Sequence, residues 1–194
     1  MSERNPWTIL TTRPVYDNPW IRLTEHQVLN PRGRPGIYGV VHMKNLALGV
    51  LPIDDDGCTT LVGQYRFPLE AYSWEMPEGG GALDVPAEDS VRRELKEETG
   101  LVAEHWLELV RLHLSNSVTD EYARGFVAWG LSQHLAEPED TEDLRLRRIP
   151  FAEVVEMVGA GAITDAMTVA TVLRLEVNRL KGQLPEALLR RLGR

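Results

Sequence analysis

The chain has 194 residues, 43% of them hydrophobic and 26% charged, which is enough for one main core with an extension and short for two equal domains. Its formal net charge of −8, with the basic residues scattered, offers no electrostatic footprint for nucleic acid. The start, MSERNPWTIL, lacks an apolar signal region, no apolar run of about 18 residues occurs, and the lone Cys58 excludes an internal disulfide, so a soluble cytoplasmic protein is expected.

Residues 7 to 13 and 20 to 28 alternate as half-buried strands do, and NPRGRPG at 30 to 36 carries the Asn, Pro and Gly of a hairpin loop. Two or three strands bury too little to be stable alone, so residues 1–45 must lean on the rest of the chain or on a second copy of it. From 37 the strands come quickly: 37 to 43, 47 to 53 (ALGVLPI), 59 to 65 (TTLVGQY) after the turn DDDG, and then YSWEMP. PEGGG at 77 to 81 predicts a loop whose backbone can approach a ligand closely. A helix opens at Pro86, after which 105 to 114, 121 to 131 and 144 to 149 read as strands. The end is helical over 151 to 159, 164 to 181 and 185 to 192. The sum is a mixed sheet with helices packed on it, an α+β or α/β sandwich.

The helix after Pro86 carries the chemistry. Glu94, Glu97 and Glu98, at i, i+3 and i+4, bring three carboxylates to one face. Like charges so placed repel, and a hard divalent cation, which takes oxygen ligands, would turn that repulsion into coordination. The competing reading is a solvated acidic face, which most such strings are. Local signals agree on the helix: Pro86 at its first position, Glu88 and Asp89 in its first turn, Val91 and Leu95 as an apolar stripe, and Gly100 just past its end. Arg93, one before Glu94 and four before Glu97, is placed to neutralise part of the face.

The spacing of Gly79, Arg93, Glu94, Leu95, Glu97, Glu98, Gly100 and Leu101 resembles the signature box of the Nudix hydrolases, G-x5-E-x7-R-E-U-x-E-E-x-G-U with U a bulky aliphatic. GQYRFPLEAYSWEMPEGG at 63 to 80, EDLRL at 142 to 146 and ITDAMTVATVLRL at 163 to 175 are similar to segments of the ADP-ribose pyrophosphatase branch, which also adds a small β-rich subdomain that exchanges across a dimer. The resemblance covers most of the chain. It implies an α+β fold, the α/β/α sandwich called the Nudix fold, over residues 46–194, with a small N-terminal β-rich subdomain over residues 1–45 that dimerises. It also implies Mg²⁺ or Mn²⁺ dependence and attack of water on a diphosphate.

Carried over residue by residue, the resemblance assigns Glu94, Glu97, Glu98 and the main-chain carbonyl of Glu78 to the metals. Glu142 matches a distal carboxylate that completes a metal site or activates water, with Glu139 and Asp140 as alternatives in the same EPEDTED loop. Glu97, Glu98 and Glu142 are therefore the catalytic candidates. Arg66 corresponds to an arginine that contacts a phosphate, for which its planar fork is suited, and Glu75 to a group that positions it or the substrate. Trp20 and Tyr38 correspond to positions that sandwich an adenine; the competing reading, favoured for Tyr38, is an anchor at a subunit interface.

Two departures limit the inheritance. Val85 stands where the box has its first glutamate, and a valine can neither accept a hydrogen bond nor offset a cation. Loss of such an outer support typically costs about 10–100-fold in metal affinity or activity, so the chemistry is expected to survive with altered metal affinity, Glu88 or Asp84 being the nearest substitutes. Glu78, in PEG where the branch has PAG, adds a carboxylate at the mouth of the site. The leading expectation is hydrolysis of ADP-ribose to AMP and ribose 5-phosphate by a homodimer, with no nucleic-acid or membrane partner. GDP-mannose, ADP-glucose, CDP-alcohols and dinucleoside polyphosphates are alternative substrates, and a non-catalytic nucleotide sensor is the alternative from another class.

Overall fold

The computed structural model describes residues 4–137 and 143–193, which fold as two compact units. The first holds the residues up to Asn45 together with His113–Glu121. Its strands β1 (Thr8–Asp17), β2 (Ile21–Leu29) and β3 (Pro35–Met43) form an antiparallel sheet in that order. The turn between β2 and β3 is held by Asn30, whose side-chain oxygen accepts from the Arg32 and Arg34 N–H groups. The segment 113–121 docks along β3: the Val41 N–H donates to the Val118 carbonyl at 2.9 Å, and Asp120 accepts from the Met43 N–H and meets His42 Nδ1 at 2.6 Å. Nothing in the sequence flags this segment, because its partners lie more than 70 residues away. Every residue of β1 is exposed within this unit, including Ile9, Leu10, Val15 and Tyr16.

The second unit is built on a mixed sheet. Its strands are β4 (Asn45–Ile53), β5 (Cys58–Arg66), β6 (Ala71–Glu75), β7 (Glu78–Ala82), β8 (Leu101–His113), β9 (Tyr122–Gln133) and β10 (Arg145–Pro150). Among the described residues the order is β10-β5-β4-β9-β8, with β6 paired to β5 and β7 to β4. The two central strands, β4 and β9, run parallel, Ala47 opposite Ala123 through Ile53 opposite Trp129. Burial on both faces explains why β4 reads as a nearly unbroken apolar run rather than an alternating one.

Helices α1 (Ala87–Thr99), α2 (Phe151–Gly159), α3 (Ala166–Leu180) and α4 (Glu186–Leu192) complete it. Residues 48, 50, 126 and 128 point to α1 and pack on Val91 and Leu95. The alternate residues point the other way, where a Cβ placed at Gly125 would overlap Thr171 of α3, and one at Gly49 would overlap Met76 and Met167. The sheet thus lies between helices, an α/β/α sandwich within an α+β chain, as the sequence leads one to expect. Helix α1 ends at Gly100, whose left-handed conformation (φ 71°) lets its N–H reach the Lys96 carbonyl.

One element corrects the sequence reading. The glycine-rich segment expected as a loop is strand β7, paired with β4. Its glycines serve close packing rather than a turn: a Cβ at Gly81 would overlap Leu48 Cδ1 and press on Ser90 of α1, and one at Gly79 would overlap the Glu94 carboxylate. Cys58, at the start of β5, is buried, and burial, reinforced by the charge of Asp54, pushes its thiol up, away from reactivity.

Candidate active site

Strands β5, β6 and β7 and helix α1 place the charged side chains. In the β5–β6 hairpin Arg66 pairs with Ala71, so the two-residue period puts Arg66 and Glu75 on one face. The Arg66 guanidinium donates through Nε to both Glu75 oxygens (3.1 and 3.0 Å) and through Nη2 to Glu75 Oε2 at 2.5 Å. Nη2 also donates to Glu78 Oε1 at 2.6 Å. The Glu78 main-chain N–H donates in turn to Glu98 Oε2 at 3.0 Å. Glu78 therefore links the arginine to the carboxylate face of α1.

On that face Glu98 follows Val91 by seven residues and Leu95 by three, which puts it on the edge of the buried stripe, and it is only 3% exposed. Glu94 and Glu97 are gathered by Arg93, whose Nη2 meets Glu94 Oε1 and whose Nη1 meets Glu97 Oε2, each at 2.5 Å; Nη2 also donates to the Gly80 carbonyl at 3.2 Å. The arginine expected to neutralise the face does so. Among the described residues no three carboxylates, imidazoles or thiols converge on one point; Glu94 and Glu97 meet Arg93, and Glu98 accepts from the Glu78 N–H. The donors are nonetheless all carboxylate and carbonyl oxygens, as a hard dication requires. Because Gly79 has no Cβ, the Glu94 carboxylate can lie directly against β7. These residues fit a divalent cation.

Burial and charge set the protonation states. Burial, followed by the charges of Asp165 and Glu75, drives the Glu78 carboxyl well above the usual range. Burial would raise Glu75 as well, but its hydrogen bonds to Arg66 and Ser73 outweigh that and hold it below its ordinary value. Desolvation opposes the charge of Arg66, yet Glu75 and Glu78 raise its pKa further and keep it cationic. Arg93 is likewise raised: desolvation acts against it and the charges of Glu94 and Glu97 overcome it.

Sequence reasoning missed two supports on α3. Asp165 caps its N-terminus by accepting from the Thr168 N–H at 2.6 Å, and its charge reaches both Arg66 and Glu78. Thr168, fully buried, receives the Met76 N–H at 3.0 Å and so pins the chain entering β7. An aspartate three before a threonine signals a helix start, but nothing local ties it to Arg66 and Glu78, more than 80 positions earlier.

The structure brings together Arg66, Glu75, Glu78, Glu94, Glu97 and Glu98. Trp20 and Tyr38 belong to the first unit: Trp20 is 66% exposed, while the Tyr38 hydroxyl donates to the Ser117 carbonyl at 2.7 Å and its ring meets Trp7 edge to face at 5.4 Å. Glu142, with Glu139 and Asp140, lies outside the described residues. Val85 sits in the exposed turn before α1, its N–H bonded to the Ala82 carbonyl. Glu88, one of its two suggested substitutes, turns instead to Arg92 at 2.6 Å.

Comparison with known proteins places the chain in a family. Residues 7–41 match the nucleoside diphosphate sugar hydrolase N-terminal domain, and residues 43–169 match the NUDIX domain. The chain is 35% identical over 133 residues to the ADP-ribose pyrophosphatase of Mycobacterium tuberculosis, a match that covers 66% of this chain and 63% of that protein's length. It is 28% identical over 165 residues to the ADP-ribose pyrophosphatase of Bacillus subtilis, covering 84% of this chain and 89% of that one. A crystal structure of an ADP compounds hydrolase superposes with a TM-score of 0.82 over 95% of this chain and 100% of its own, at 22% identity, a likeness of fold. Since the NUDIX match spans well over half of the sequence and contains the carboxylate face, the chain belongs to the Nudix hydrolase superfamily.

Proposed function

We propose that this protein hydrolyses the phosphoanhydride of nucleoside diphosphates linked to another moiety, with ADP-ribose as the leading substrate and AMP and ribose 5-phosphate as products. The observation that carries the reading is the chain of contacts from Arg66 through Glu78 to Glu98, which sets a fixed guanidinium beside a carboxylate face. Glu94, Glu97 and Glu98, with the main-chain carbonyl of Glu78, would hold Mg²⁺ or Mn²⁺. Bound there, such a cation supplies charge neutralisation for the diphosphate and a lowered pKa for water.

The chain's own residues do the rest. Arg66, oriented by Glu75, offers its fork to a phosphate oxygen. Arg93 holds Glu94 and Glu97 in place and offsets their repulsion. A carboxylate takes the proton of the attacking water as the bond to the bridging oxygen breaks; Glu97, Glu98 and Glu142 are the candidates. Trp20 and Tyr38 would stack the base, and a second copy of the chain would cover the apolar side chains of β1. The reading includes a homodimer, placed in the cytoplasm and without a nucleic-acid or membrane partner, and its mass in solution tests the dimer.

The decisive assay is turnover of a panel of nucleoside diphosphate sugars, including GDP-mannose and ADP-glucose, with Mg²⁺ or Mn²⁺. ADP-ribose is expected to be cleaved fastest, and no turnover of any member overturns the enzymatic reading. Glu98→Gln is expected to lower kcat more than about 100-fold, in keeping with loss of a metal-directed carboxylate; activity within threefold of the parent overturns the metal assignment.

A further inference from the structure

Glu78 brings a second carboxyl to the guanidinium of Arg66. Its Oε1 takes a hydrogen bond from Arg66 Nη2 at 2.6 Å, on the nitrogen that also donates to Glu75 Oε2 at 2.5 Å. Glu75 alone suffices to orient the guanidinium, because it engages both Nε and Nη2. The second carboxyl adds no direction that the first lacks. It adds an acceptor on the edge through which Arg66 would meet a phosphate. The Glu78 side chain is only 12% exposed, so its carboxyl is held against the guanidinium largely away from water. A carboxyl this buried, placed against a second carboxyl on the same guanidinium nitrogen, is costly for folding alone, which points to a role at the site.

We propose that the Glu78 carboxyl is an internal competitor for the phosphate at Arg66, a specificity-determining group that limits how tightly the site holds phosphorylated ligands, product as well as substrate. An incoming phosphate must displace Glu78 Oε1 from Nη2 before the fork is available to it. A ligand without phosphate has no such contact to win. The inference rests on the reading of Arg66 as the phosphate contact, and the test separates the two.

Binding of ADP-ribose, AMP and adenosine is measured by calorimetry on the full chain in EDTA, so that no turnover intervenes, with the melting temperature of each variant recorded alongside. Glu78→Ala is expected to tighten ADP-ribose and AMP by about 3–10-fold, the range of one charge-assisted contact partly screened by solvent, with a smaller gain in high salt and no change for adenosine. Glu78→Gln, which keeps an acceptor oxygen, is expected to gain less than Glu78→Ala. In an Arg66→Ala background the Glu78 substitution is expected to have no effect. Unchanged or weaker binding by Glu78→Ala in a folded protein overturns the proposal, as does the absence of binding by parent and variant up to millimolar ligand. If Arg66→Ala binds ADP-ribose as the parent does, the assignment of Arg66 has failed. If Arg66→Ala weakens binding while Glu78→Ala fails to tighten it, the proposal for Glu78 alone has failed.

Discussion

Two glycines of β7 separate function from stability. At Gly79 a Cβ would overlap the Glu94 carboxylate, the far end of a flexible side chain, whereas at Gly81 it would overlap Leu48 Cδ1, which is fully buried, and press on Ser90 of α1 at 3.1 Å. Neither glycine has a left-handed backbone, so alanine fits both conformations and gains about 0.4–1 kcal/mol by reducing the freedom of the unfolded chain. At Gly81 overpacking of about 1–3 kcal/mol outweighs that gain, leaving Gly81→Ala about 1–2 kcal/mol less stable. At Gly79 the carboxylate swings aside, so the same methyl leaves stability within about 0.5 kcal/mol of the parent. It moves the Glu94 oxygens by roughly 1 Å, the distance needed to restore van der Waals contact. A cation that requires its ligands at about 2.0–2.1 Å cannot follow such a shift, so Gly79→Ala is expected to weaken Mn²⁺ binding at least about tenfold and to lower turnover accordingly. Urea unfolding measures the first quantity and the paramagnetic resonance of free Mn²⁺ during titration measures the second. Gly79→Ala with parental Mn²⁺ affinity, or Gly81→Ala with parental stability, refutes the reasoning.

Three further outcomes are expected. Val85→Glu, in an exposed turn at 41% exposure, should leave stability within about 0.5 kcal/mol and raise Mn²⁺ affinity by about tenfold, the lower end of what an outer support contributes; unchanged affinity denies that position its role here. Trp20→Ala should raise KM for ADP-ribose by about fivefold or more, the effect of losing about 1 kcal/mol of stacking, with an unchanged melting temperature; a lower melting temperature with constant KM would make Trp20 a packing anchor instead. Glu108 is held at a pKa of about 2 by hydrogen bonds from Arg111 and Arg124, against an ordinary 4.5. A folded-state value below the unfolded one stabilises fully above pH 4.5 and loses that stabilisation as pH falls toward 2. That depression corresponds to about 3 kcal/mol, and water at this 22% exposed side chain reduces it to about 1–2 kcal/mol, so Glu108→Gln should cost that much at pH 7 and progressively less in urea titrations from pH 4.5 to 3.

What was legible in the sequence follows how far apart the cooperating residues lie. The carboxylate face is local: Glu94, Glu97 and Glu98 share one helix, so their spacing alone fixes their common side. Even the burial of Glu98 is implicit in its register with Val91 and Leu95. The Arg66–Glu75 pair is nearly local, nine residues apart across one hairpin. Beyond that range the signals fail, each for an identifiable reason. A glycine run reports the absence of side chains and not what presses on the chain, so PEGGG reads equally as a flexible loop or as a strand under a helix. Only Leu48, Ser90 and Glu94, from other elements, decide for the strand. Asp165 and Thr168 carry the pattern of an ordinary helix start, and their influence on Glu78 and Met76 exists only once α3 has packed against the sheet. The face that concentrates negative charge is thus written into one helix, whereas the groups that tune it, Gly79 against Glu94 and Asp165 against Glu78, arise from packing. That division explains why the box is recognisable from spacing alone, while Glu78 becomes interpretable only beside Arg66 in the folded chain.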